Sequence, residues 1–478
     1  MPLILPGNVA TATAATTYDV ANSCRFNTGD SPSLSKTMVA GSTDFAKKFT
    51  ISVWIKLASL DGVRPICSFG SGSTDAIDLL LQTNGTLTFE SWDGTVNPKL
   101  NTNRIFLDNS AWYNIVITVD TTQGTAANRM KMYINGVQET NLGTAVYAAE
   151  DYLFPGIGTT NDTMKIGSGG QYSSNYFNGY MAEFVYCDGQ ALGPTSFGEF
   201  DSDSPNIWKP IDVSGLTFGN AGTYCDFEDS GNLGDDESGN TNDLTENNIA
   251  AIDQTTDTCT NNFAVWDPLT NRDTANGTWT EGNLRILASG GDVSRYCTLP
   301  IPLNFKFYFE VKAPIVGAQA GCGLTTIHDP LGLRCKPGEN NGYGWKFRGA
   351  ASVVQYFNNG TASNHATNNP SDDSIMGFAV DCANGRMHMY IDGTYLDSSD
   401  PTDNDPNSVV TGFSTTVPQY LHTSLDTRSA SQPIMEFNFG NPIHSISSGN
   451  ADANGYGNFE FAVPSGYLAF CTKNMADF

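Results

Sequence analysis

Residues 129–137 read RMKMYINGV, and residues 386–394 in the second half of the chain read RMHMYIDGT. Each stretch alternates Met-x-Met-x-Ile and runs into an Asn-Gly or Asp-Gly pair, which is typical of a strand that enters a tight hairpin turn. Each follows an apolar run that ends in Val-Asp, IVITVD at 115–120 and GFAVD at 377–381. The same two-strand unit therefore occurs twice. Its wide spacing indicates two similar β domains, because solenoid repeats recur at roughly 20–50 residues.

The rest of the chain has the same character. Asn-Gly and Asp-Gly turn signals separate β-branched or alternating runs such as FTISVWIKL (49–57) and FYFEVKA (307–313). No capped helical pattern exceeds two or three turns. The sequence therefore predicts an all-β chain of two antiparallel β-sandwiches in tandem.

Composition limits the partners of this chain. Its 478 residues leave room for two sandwich domains. The net charge is −26, from 24 basic and 50 acidic residues, which argues against nucleic-acid binding because Lys and Arg supply most of the affinity for phosphates. No apolar run approaches the roughly 20 residues that a membrane span needs. We expect neither nucleic acid nor membrane as a partner.

The pattern of apolar and polar segments predicts the domain boundaries. Residues 1–17 are rich in small residues and are predicted to be an anchoring or flexible tail. The first sandwich is predicted over 18–252, with 224–249 completing it, and a polar linker over 253–276. The second sandwich follows over 277–478.

The first half resembles the laminin-G-like members of the concanavalin-A-like jelly-roll superfamily. The resembling segments are VANSCRFNTGDSPSLSKT (20–37), FTISVWIKL, AWYNIVITVD (111–120), RMKMYINGV and FNGYMAEFVYCDGQAL (177–192). In such domains the opening strand usually looks like the element at 226–245, which here comes last. The resemblance therefore implies a permuted order in which this late strand completes the sandwich.

The second half resembles a SPRY domain, another two-sheet sandwich. The resembling segments are NGYGWKF (341–347), IMGFAVDCANGRMHMYIDGTYL (375–396), IMEFNFGNP (434–442) and VPSGYLAF (463–470). The resemblance implies concanavalin-A-like and SPRY-like jelly rolls in tandem.

The two halves together resemble virion proteins of marine bacteriophages, which are usually tail-fibre or structural proteins. The start, MPLILPGN (1–8), and the joint SFGEFDSDSPNIWKPIDVSGLTFG (196–219) strengthen this likeness. The resemblance implies a protein of the particle surface that contacts other virion proteins, forms a homo-oligomer (a trimer in a fibre) and binds a host surface glycan or protein. It also implies synthesis in the host cytoplasm without a signal peptide. Two alternatives are a capsid decoration or cement protein without a receptor role and a Ca²⁺-dependent lectin-like module.

An acidic loop over 226–243 is the candidate metal site, because seven carboxylates alternate there with Gly and Asn. Hard oxygen ligands on a Gly-rich loop suit Ca²⁺, and the candidate ligands are Asp226, Asp229, Asp235 and Asp236. The EF-hand spacing is absent, so the alternative is a solvated, turn-rich loop. No other cofactor is predicted.

Aromatic residues at loop edges are candidate glycan contacts. Trp92 and Asp93, and in the second half Tyr343 and Trp345, combine rings for stacking with a carboxylate for sugar hydroxyls. The alternative is that these rings pack at the rim or in the core of a sandwich.

Three segments are predicted to be displayed as binding loops, 61–73, 171–178 and 358–371. Enzyme signatures are missing from the sequence: there is no G-x-S-x-G, no H-E-x-x-H and no phosphate-binding loop. Paired carboxylates on one strand, which jelly-roll glycosidases use, are missing as well. The chain is therefore predicted not to be an enzyme.

Overall fold

The computed structural model describes most of the chain in two compact units. The described residues are 18–72, 75–95, 97–157, 162–270, 277–289, 292–315, 319–326, 342–348, 353–365, 370–396, 399–402, 410–426, 433–476 and 478. Unit 1 ends at Asn261 and unit 2 begins at Asn262. The predicted tail over 1–17 lies outside the described residues.

The boundary between the units falls inside the predicted linker, 253–276. Over its described part, up to residue 270, this segment is not a free connector. Asp257 is fully buried in unit 1, and Phe263 and Trp266 are fully buried in unit 2. The apolar residues interspersed in a polar-looking stretch are what each unit buries.

Unit 1 consists almost entirely of strands joined by tight turns. Its strands are β1 (Ser23–Phe26), β2 (Ser33–Thr37), β3 (Lys48–Leu57), β4 (Arg64–Gly72), β5 (Asp75–Leu81), β6 (Thr86–Trp92), β7 (Lys99–Ile105), β8 (Trp112–Asp120), β9 (Met130–Ile134), β10 (Val137–Gln138), β11 (Leu142–Val146), β12 (Thr163–Ile166), β13 (Gly179–Asp188), β14 (Gly198–Phe200), β15 (Trp208–Pro210), β16 (Thr223–Cys225), β17 (Thr245–Asn247) and β18 (Gln254–Thr255). Short 3₁₀ turns occur at Thr28–Asp30, Ala126–Asn128, Pro194–Ser196 and Ala251–Asp253.

Two antiparallel sheets make the sandwich of unit 1. The first sheet has the order β10-β9-β8-β3-β13-β1-β18, with β16 also paired to β13, and the second has the order β11-β7-β6-β5-β4-β12-β2-β17. The strands alternate apolar and polar residues, so each sheet turns one apolar face inward. Ile51, Ile117 and Phe184 of the first sheet and Phe69 and Phe89 of the second lie in this shared core.

The segment that comes late in unit 1 enters both sheets. β16 pairs with β13 in the first sheet, and β17 pairs with β2 at the edge of the second. The element predicted to complete the sandwich from 224–249 therefore contributes strands to it, although the acidic stretch between β16 and β17 is turns and loop.

Two buried acids lie on the outer side of the first sheet. Lys56 Nζ is 2.7 Å from Asp257 Oδ2, and both side chains are 0% exposed. Glu183 sits at a β-bulge with a positive φ of 50°. Its Oε2 accepts hydrogen bonds from the hydroxyls of Tyr224 (2.9 Å) and Tyr18 (3.1 Å). Burial is the main cause that raises the pKa of Glu183, to about 8.

Unit 2 is also built from antiparallel strands. Its strands are β19 (Gly277–Thr280), β20 (Arg285–Ala288), β21 (Asp292–Tyr296), β22 (Lys306–Ile315), β23 (Gln319–Thr325), β24 (Tyr343–Arg348), β25 (Val353–Asn358), β26 (Thr361–His365), β27 (Ile375–Asp381), β28 (Arg386–Ile391), β29 (Thr394–Tyr395), β30 (Val410–Thr411), β31 (Tyr420–Asp426), β32 (Ile434–Asn438) and β33 (Leu468–Ala469). The α-helix α1 covers Thr472–Met475, and 3₁₀ turns occur at Pro268–Thr270 and Glu281–Asn283.

Unit 2 has the two-sheet architecture that the SPRY resemblance implied. One sheet has the order β19-β20-β32-β22-β27-β28-β29, with β30 on β28 and β33 parallel to β22, and the other has the order β21-β31-β23-β24-β25-β26. Phe307, Phe378, Met389, Phe437 and Trp345 belong to the core between them. Among the described residues, no helix is both long and apolar enough to cross a bilayer.

The repeated sequence, residues 115–137 and 377–394, forms a pair of antiparallel strands in each unit. β8 pairs with β9, and β27 pairs with β28. The turns that follow β9 and β28 place Asn135 (φ 48°) and Asp392 (φ 48°) before a glycine that also has positive φ. Positive φ at both central residues is what a type I′ turn requires, so the Asn-Gly and Asp-Gly pairs specify the hairpins that join β9 to β10 and β28 to β29.

Candidate ligand-binding site

A row of polar side chains crosses the second sheet of unit 1 in register. Consecutive members of this cross-strand row are paired on neighbouring strands: Thr245, Ser35, Lys165, Ser68, Asp78, Glu90 and Lys99. Directly opposed residues on adjacent strands lie on the same face of a sheet, about 4.5–5.5 Å apart. The row therefore brings four charged side chains onto one face from four strands.

The row lies on the face that points away from the core. Ile77 and Leu79 flank Asp78 in β5 and both belong to the core, as do Met164 and Ile166 on either side of Lys165 in β12. Because strand side chains alternate between faces, Asp78 and Lys165 project outward. Asp78 is nevertheless fully buried, because a loop covers it.

The covering loop, residues 168–176, is held by successive members of the row. The Ser68 hydroxyl donates to the carbonyl of Ser168 at 2.9 Å. The two oxygens of Asp78 accept the backbone N–H groups of Gly170 (2.7 Å) and Gln171 (3.1 Å). These bonds fix the loop over the sheet, so the surface beneath and beside it is formed before any ligand arrives.

Glu90, the next member of the row, contacts both the covering loop and the neighbouring strand β7. Glu90 accepts a hydrogen bond from the Tyr172 hydroxyl at 3.3 Å and forms an ion pair with Lys99 at 2.8 Å. Burial is the main cause that raises the pKa of Asp78, and the charge of Glu90 opposite also raises it. The two amide donors act in the other direction, because they stabilise the carboxylate.

A cleft of about 290 Å³ opens beside this loop. Its lining residues are Ser68, Phe69, Gly70, Gly72, Thr163, Lys165, Gly170 and Ser173. Hydroxyls, backbone groups and one ammonium therefore line it, next to glycines that let a ligand approach the backbone. Its volume is at the small end of ligand pockets, which run from roughly 300 to 1,000 Å³. A cleft of this kind suits one small polar ligand.

The predicted contact residue Trp92 lies on the same face as the cleft. Trp92 pairs with Ala76, Ala76 pairs with Gly70, and Gly70 pairs with Thr163. Trp92 is half-buried, and Gly70 and Thr163 line the cleft. The register thus brings an aromatic residue and the cleft together on one surface, and the role of Trp92 in sugar stacking stays a prediction.

The carboxylate of Asp93 stabilises the turn that follows β6. Its carboxylate accepts hydrogen bonds from the backbone N–H of Thr95 (2.8 Å) and from the hydroxyl of Tyr152 (2.9 Å). Both bonds order the β6–β7 connection beside Trp92. A ligand contact by Asp93 stays a prediction.

The predicted glycan contact in unit 2 needs correction. Trp345 is 0% exposed, and its indole N–H points toward the carbonyl of Met387 at 3.4 Å. Tyr343 is half-buried, with its ring edge-on to Phe413 at 5.9 Å. These aromatics pack in and around the core of unit 2, so Trp345 offers no face to a sugar. The alternation of strand β24 sends Trp345 and Tyr343 to the same, inward side.

The acidic loop does not gather its carboxylates into one ligand set. Asp226 and Asp229 each accept the backbone N–H two residues ahead, and Asp235 lies near the amide of Asn232. Asp236 is buried and points back into unit 1. Within the described ranges, no group of three or more His, Cys, Asp or Glu side chains is arranged to hold a metal ion. The geometry therefore does not form the predicted Ca²⁺ site.

Asp236 has a structural role that the spacing did not reveal. Its oxygens accept the N–H groups of Tyr224 (2.9 Å) and Asn242 (2.7 Å) and the hydroxyl of Ser238 (2.8 Å). The buried ammonium of Lys36, which donates to the hydroxyl of Thr223, interacts electrostatically with Asp236. Burial lowers the pKa of Lys36 to about 8, and Asp236 is the largest influence in the opposite direction.

Among the described residues, no Lys, Arg or His side chain forms an ion pair within 4.0 Å with Asp226, Asp229 or Asp235. Burial raises the pKa of Asp226, and Asp235 and Asp229 raise it further by repulsion. Repulsion by Asp226 is the largest cause that raises the pKa of Glu237. The loop is therefore a solvated, turn-rich acidic surface, which was the alternative interpretation.

Two of the three predicted binding loops are partly strands. Within 61–73, β4 occupies Arg64–Gly72, and within 358–371, β26 occupies Thr361–His365. The third, 171–178, overlaps the covering loop of the cleft. Sequence reasoning missed the cross-strand row, because its members are separated along the chain and only strand register aligns them. The alternation Ile-x-Leu (77–79) in β5 and Met-x-Ile (164–166) in β12 was the available signal that Asp78 and Lys165 face outward.

Comparison with known proteins agrees with this architecture. The family described as the concanavalin A-like lectin/glucanases superfamily (Laminin_G_3) matches residues 29–194. No curated protein sequence matches the chain.

Several solved structures are similar to parts of the chain. They include a heptameric SAP-like pentraxin from Limulus polyphemus (18% identity, 37% of this chain and 80% of that chain, TM-score 0.28). They also include the SPRY domain of human HERC1 (10% identity, 36% and 96%, TM-score 0.27) and domains LG4-5 of the mouse laminin alpha1 chain (12% identity, 96% and 91%, TM-score 0.29). The family match confirms the resemblance proposed for the first half: residues 29–194 form a concanavalin-A-like jelly roll of the laminin G type within an all-β chain.

Proposed function

We propose that the chain is a structural protein of the bacteriophage particle surface, a tail-fibre or appendage component, whose unit 1 binds a glycan of the host surface. The particle assignment rests on the resemblance of the sequence to virion proteins. Glycan binding rests on unit 1, whose family match describes a lectin-type sandwich. No catalytic role is proposed.

The observation that carries the binding proposal is the cleft on the outer face of the second sheet. Sugars are recognised by hydroxyl, amide and charged groups set at fixed positions, usually beside an aromatic ring. Ser68, Thr163 and Lys165 project into or beside the cleft from paired strands, and Trp92 lies on the same face. A site on strands is held more rigidly than one on free loops.

Weak single-site binding is compatible with firm attachment. A cleft of this size contacts one small unit of a host polymer, and we expect low affinity from one copy. Several copies on one appendage, as in a homo-oligomer, raise the effective concentration and add avidity without new contacts. The proposal therefore includes self-association and contact with other virion proteins.

The experiment that tests binding is a glycan array probed with the full chain and two matched variants. Ser173 and Ser174 are adjacent and exposed, and only Ser173 lines the cleft. Ser173→Trp fills the cleft and is expected to abolish array signals, whereas Ser174→Trp is expected to retain them. Equal binding by both variants, or no binding by the parent chain, would refute the cleft as the glycan site.

Immunogold labelling of virus particles tests the location. Gold on the tail or its fibres is the expected result. Gold spread over the capsid would favour the decoration-protein alternative, and particles without gold would overturn the virion assignment.

A further inference from the structure

Among the described residues that line the cleft, Lys165 is the one with a charged side chain. It projects from β12 between Ser35 of β2 and Ser68 of β4, and it is half-buried. Among the described residues, its ammonium has no ion pair within 4.0 Å and no hydrogen-bond partner. Because both directly paired neighbours of this partly desolvated ammonium are serines, it favours an incoming anion.

Lys165 belongs to the minority of basic side chains in unit 1 that form no ion pair within 4.0 Å among the described residues. The chain has 50 acidic residues for 24 basic ones, and most basic side chains of the unit lie against a carboxylate. Those with a carboxylate partner are Arg25, Lys47, Lys56, Arg64, Lys99, Arg104, Arg129 and Lys209. The lysine that lines the cleft has been left without one.

The nearest carboxylate within the row, that of Asp78, interacts electrostatically with Lys165 but forms no ion pair with it within 4.0 Å. Asp78 is two strands away in the row, and both of its oxygens are occupied by the N–H groups of Gly170 and Gln171. Glu90, one strand further, is engaged by Lys99 and Tyr172. The acidic members of the row therefore hold the loop, and the Lys165 side of the cleft is the side open to a ligand anion.

We infer that the cleft binds an anionic saccharide, one whose ring carries a carboxylate or a sulfate group, and that Lys165 is the residue that selects the anion. This inference rests on the proposed function and specifies its ligand class. The serine and threonine hydroxyls of the cleft remain for the ring hydroxyls, and the volume of about 290 Å³ suits one sugar ring.

The test uses the full chain and saturation-transfer-difference NMR, which detects weak binding of small sugars. The probes are sodium glucuronate, glucose 6-sulfate and glucose. We expect signals from one or both anionic sugars, and their comparison identifies carboxylate or sulfate. Lys165→Gln is expected to weaken binding about tenfold, which is the effect of losing one charge-assisted hydrogen bond, and Lys165→Arg to retain most of it.

The matched control is Lys131→Gln. Lys131 is also a half-buried strand lysine with no ion pair among the described residues, and it lies on the other sheet. This variant is expected to bind like the parent chain, and equal loss in both Gln variants would overturn the inference. Binding of glucose as strong as that of the anionic sugars, unchanged in Lys165→Gln, would overturn it while leaving glycan binding intact. Absence of binding by all three sugars and by every glycan on the array would overturn both.

Discussion

The buried ion pair between Lys56 and Asp257 makes a sharp prediction about stability. Lys56 projects from the central strand β3, and Asp257 lies near the end of unit 1. Both side chains are 0% exposed, and the indole N–H of Trp112 donates to the other oxygen of Asp257 at 3.3 Å. Lys56→Met keeps an unbranched side chain, one heavy atom shorter, and removes its charge. The variant leaves a carboxylate buried without its cation.

The expected cost follows from desolvation. Removing one partner of a buried pair costs about 3–5 kcal/mol, because the remaining charge has lost its water and its counter-ion. For a unit of this size each kcal/mol lowers Tm by about 2–4 °C, so we expect unit 1 to melt roughly 6–20 °C lower. Replacing both residues, Lys56→Met with Asp257→Leu, is expected to recover most of this loss, since no buried charge remains.

Differential scanning calorimetry measures the effect, and hydrogen exchange assigns it to unit 1. Peptides from β3 and from residues 254–261 are expected to lose protection, while peptides from β22 and β27 of unit 2 do not. The matched control is Lys47→Met, because the pair of Lys47 with Asp151 has a similar separation, 2.9 Å, at the surface. Exposed pairs contribute little, so its Tm is expected to stay at the parent value.

Equal Tm values for Lys56→Met and Lys47→Met would refute the reasoning. If Lys56→Met and Lys47→Met melt together, burial does not amplify the pair. If the double variant is no more stable than Lys56→Met, the loss comes from packing around the methionine and not from the unpaired carboxylate.

Three further results are expected. Glu183 has a folded pKa of about 8, above its ordinary value of 4.5, so it stabilises unit 1 fully below pH 4.5 and loses this contribution as pH rises to about 8. Glu183→Gln should therefore flatten the fall of Tm with pH over this range. An unchanged fall of Tm would exclude Glu183 as its source. Gly170→Ala brings a Cβ to 3.0 Å from that of Ala76, so the covering loop should loosen and array binding should fall at nearly constant Tm; unaltered binding would contradict the role of the loop. Asp236→Ala should lower Tm more than Asp229→Ala, because Asp236 accepts several buried hydrogen bonds, and millimolar Ca²⁺ should leave the parent Tm unchanged; a calcium-dependent rise in Tm would restore the metal site.

Much of the fold was predictable from short-range signals. The hairpins whose turns contain Gly136 and Gly393 follow from local turn chemistry, because type I′ turns require positive φ. Alternation along each strand predicted the sandwich layers. The domain boundary was not predictable at the same level, because burial of Asp257 and Trp266 depends on which sheet each segment meets.

The candidate site was largely out of reach of the sequence. Asp78, Glu90 and Lys165 become neighbours through pairings among four strands, and a shift of one residue in any pairing would turn a side chain to the core. Carboxylate density drew attention to the acidic loop instead. Density along the chain does not report where oxygens point, and the Asp236 carboxylate points inward, to the backbone N–H groups of Tyr224 and Asn242. The predicted glycan contact by Trp345 was wrong for a related reason, because the exposure of its ring depends on which face of β24 is covered.

The two ends of unit 1 hold each other, and this has a consequence during synthesis. Ser23 donates its hydroxyl to the carbonyl of Asp257 at 2.6 Å, and the N–H of Val20 bonds to the hydroxyl of Thr260 at 3.1 Å. A nascent chain therefore cannot close unit 1 until residues near 260 have left the ribosome. At roughly 5–20 residues per second, the early strands wait for many seconds with unpaired edges. Contacts between residues so far apart in sequence also slow folding, because the chain loses entropy in bringing its ends together before the contacts stabilise the fold. We expect the nascent unit to need a chaperone, and truncation before residue 257 to leave it aggregation-prone.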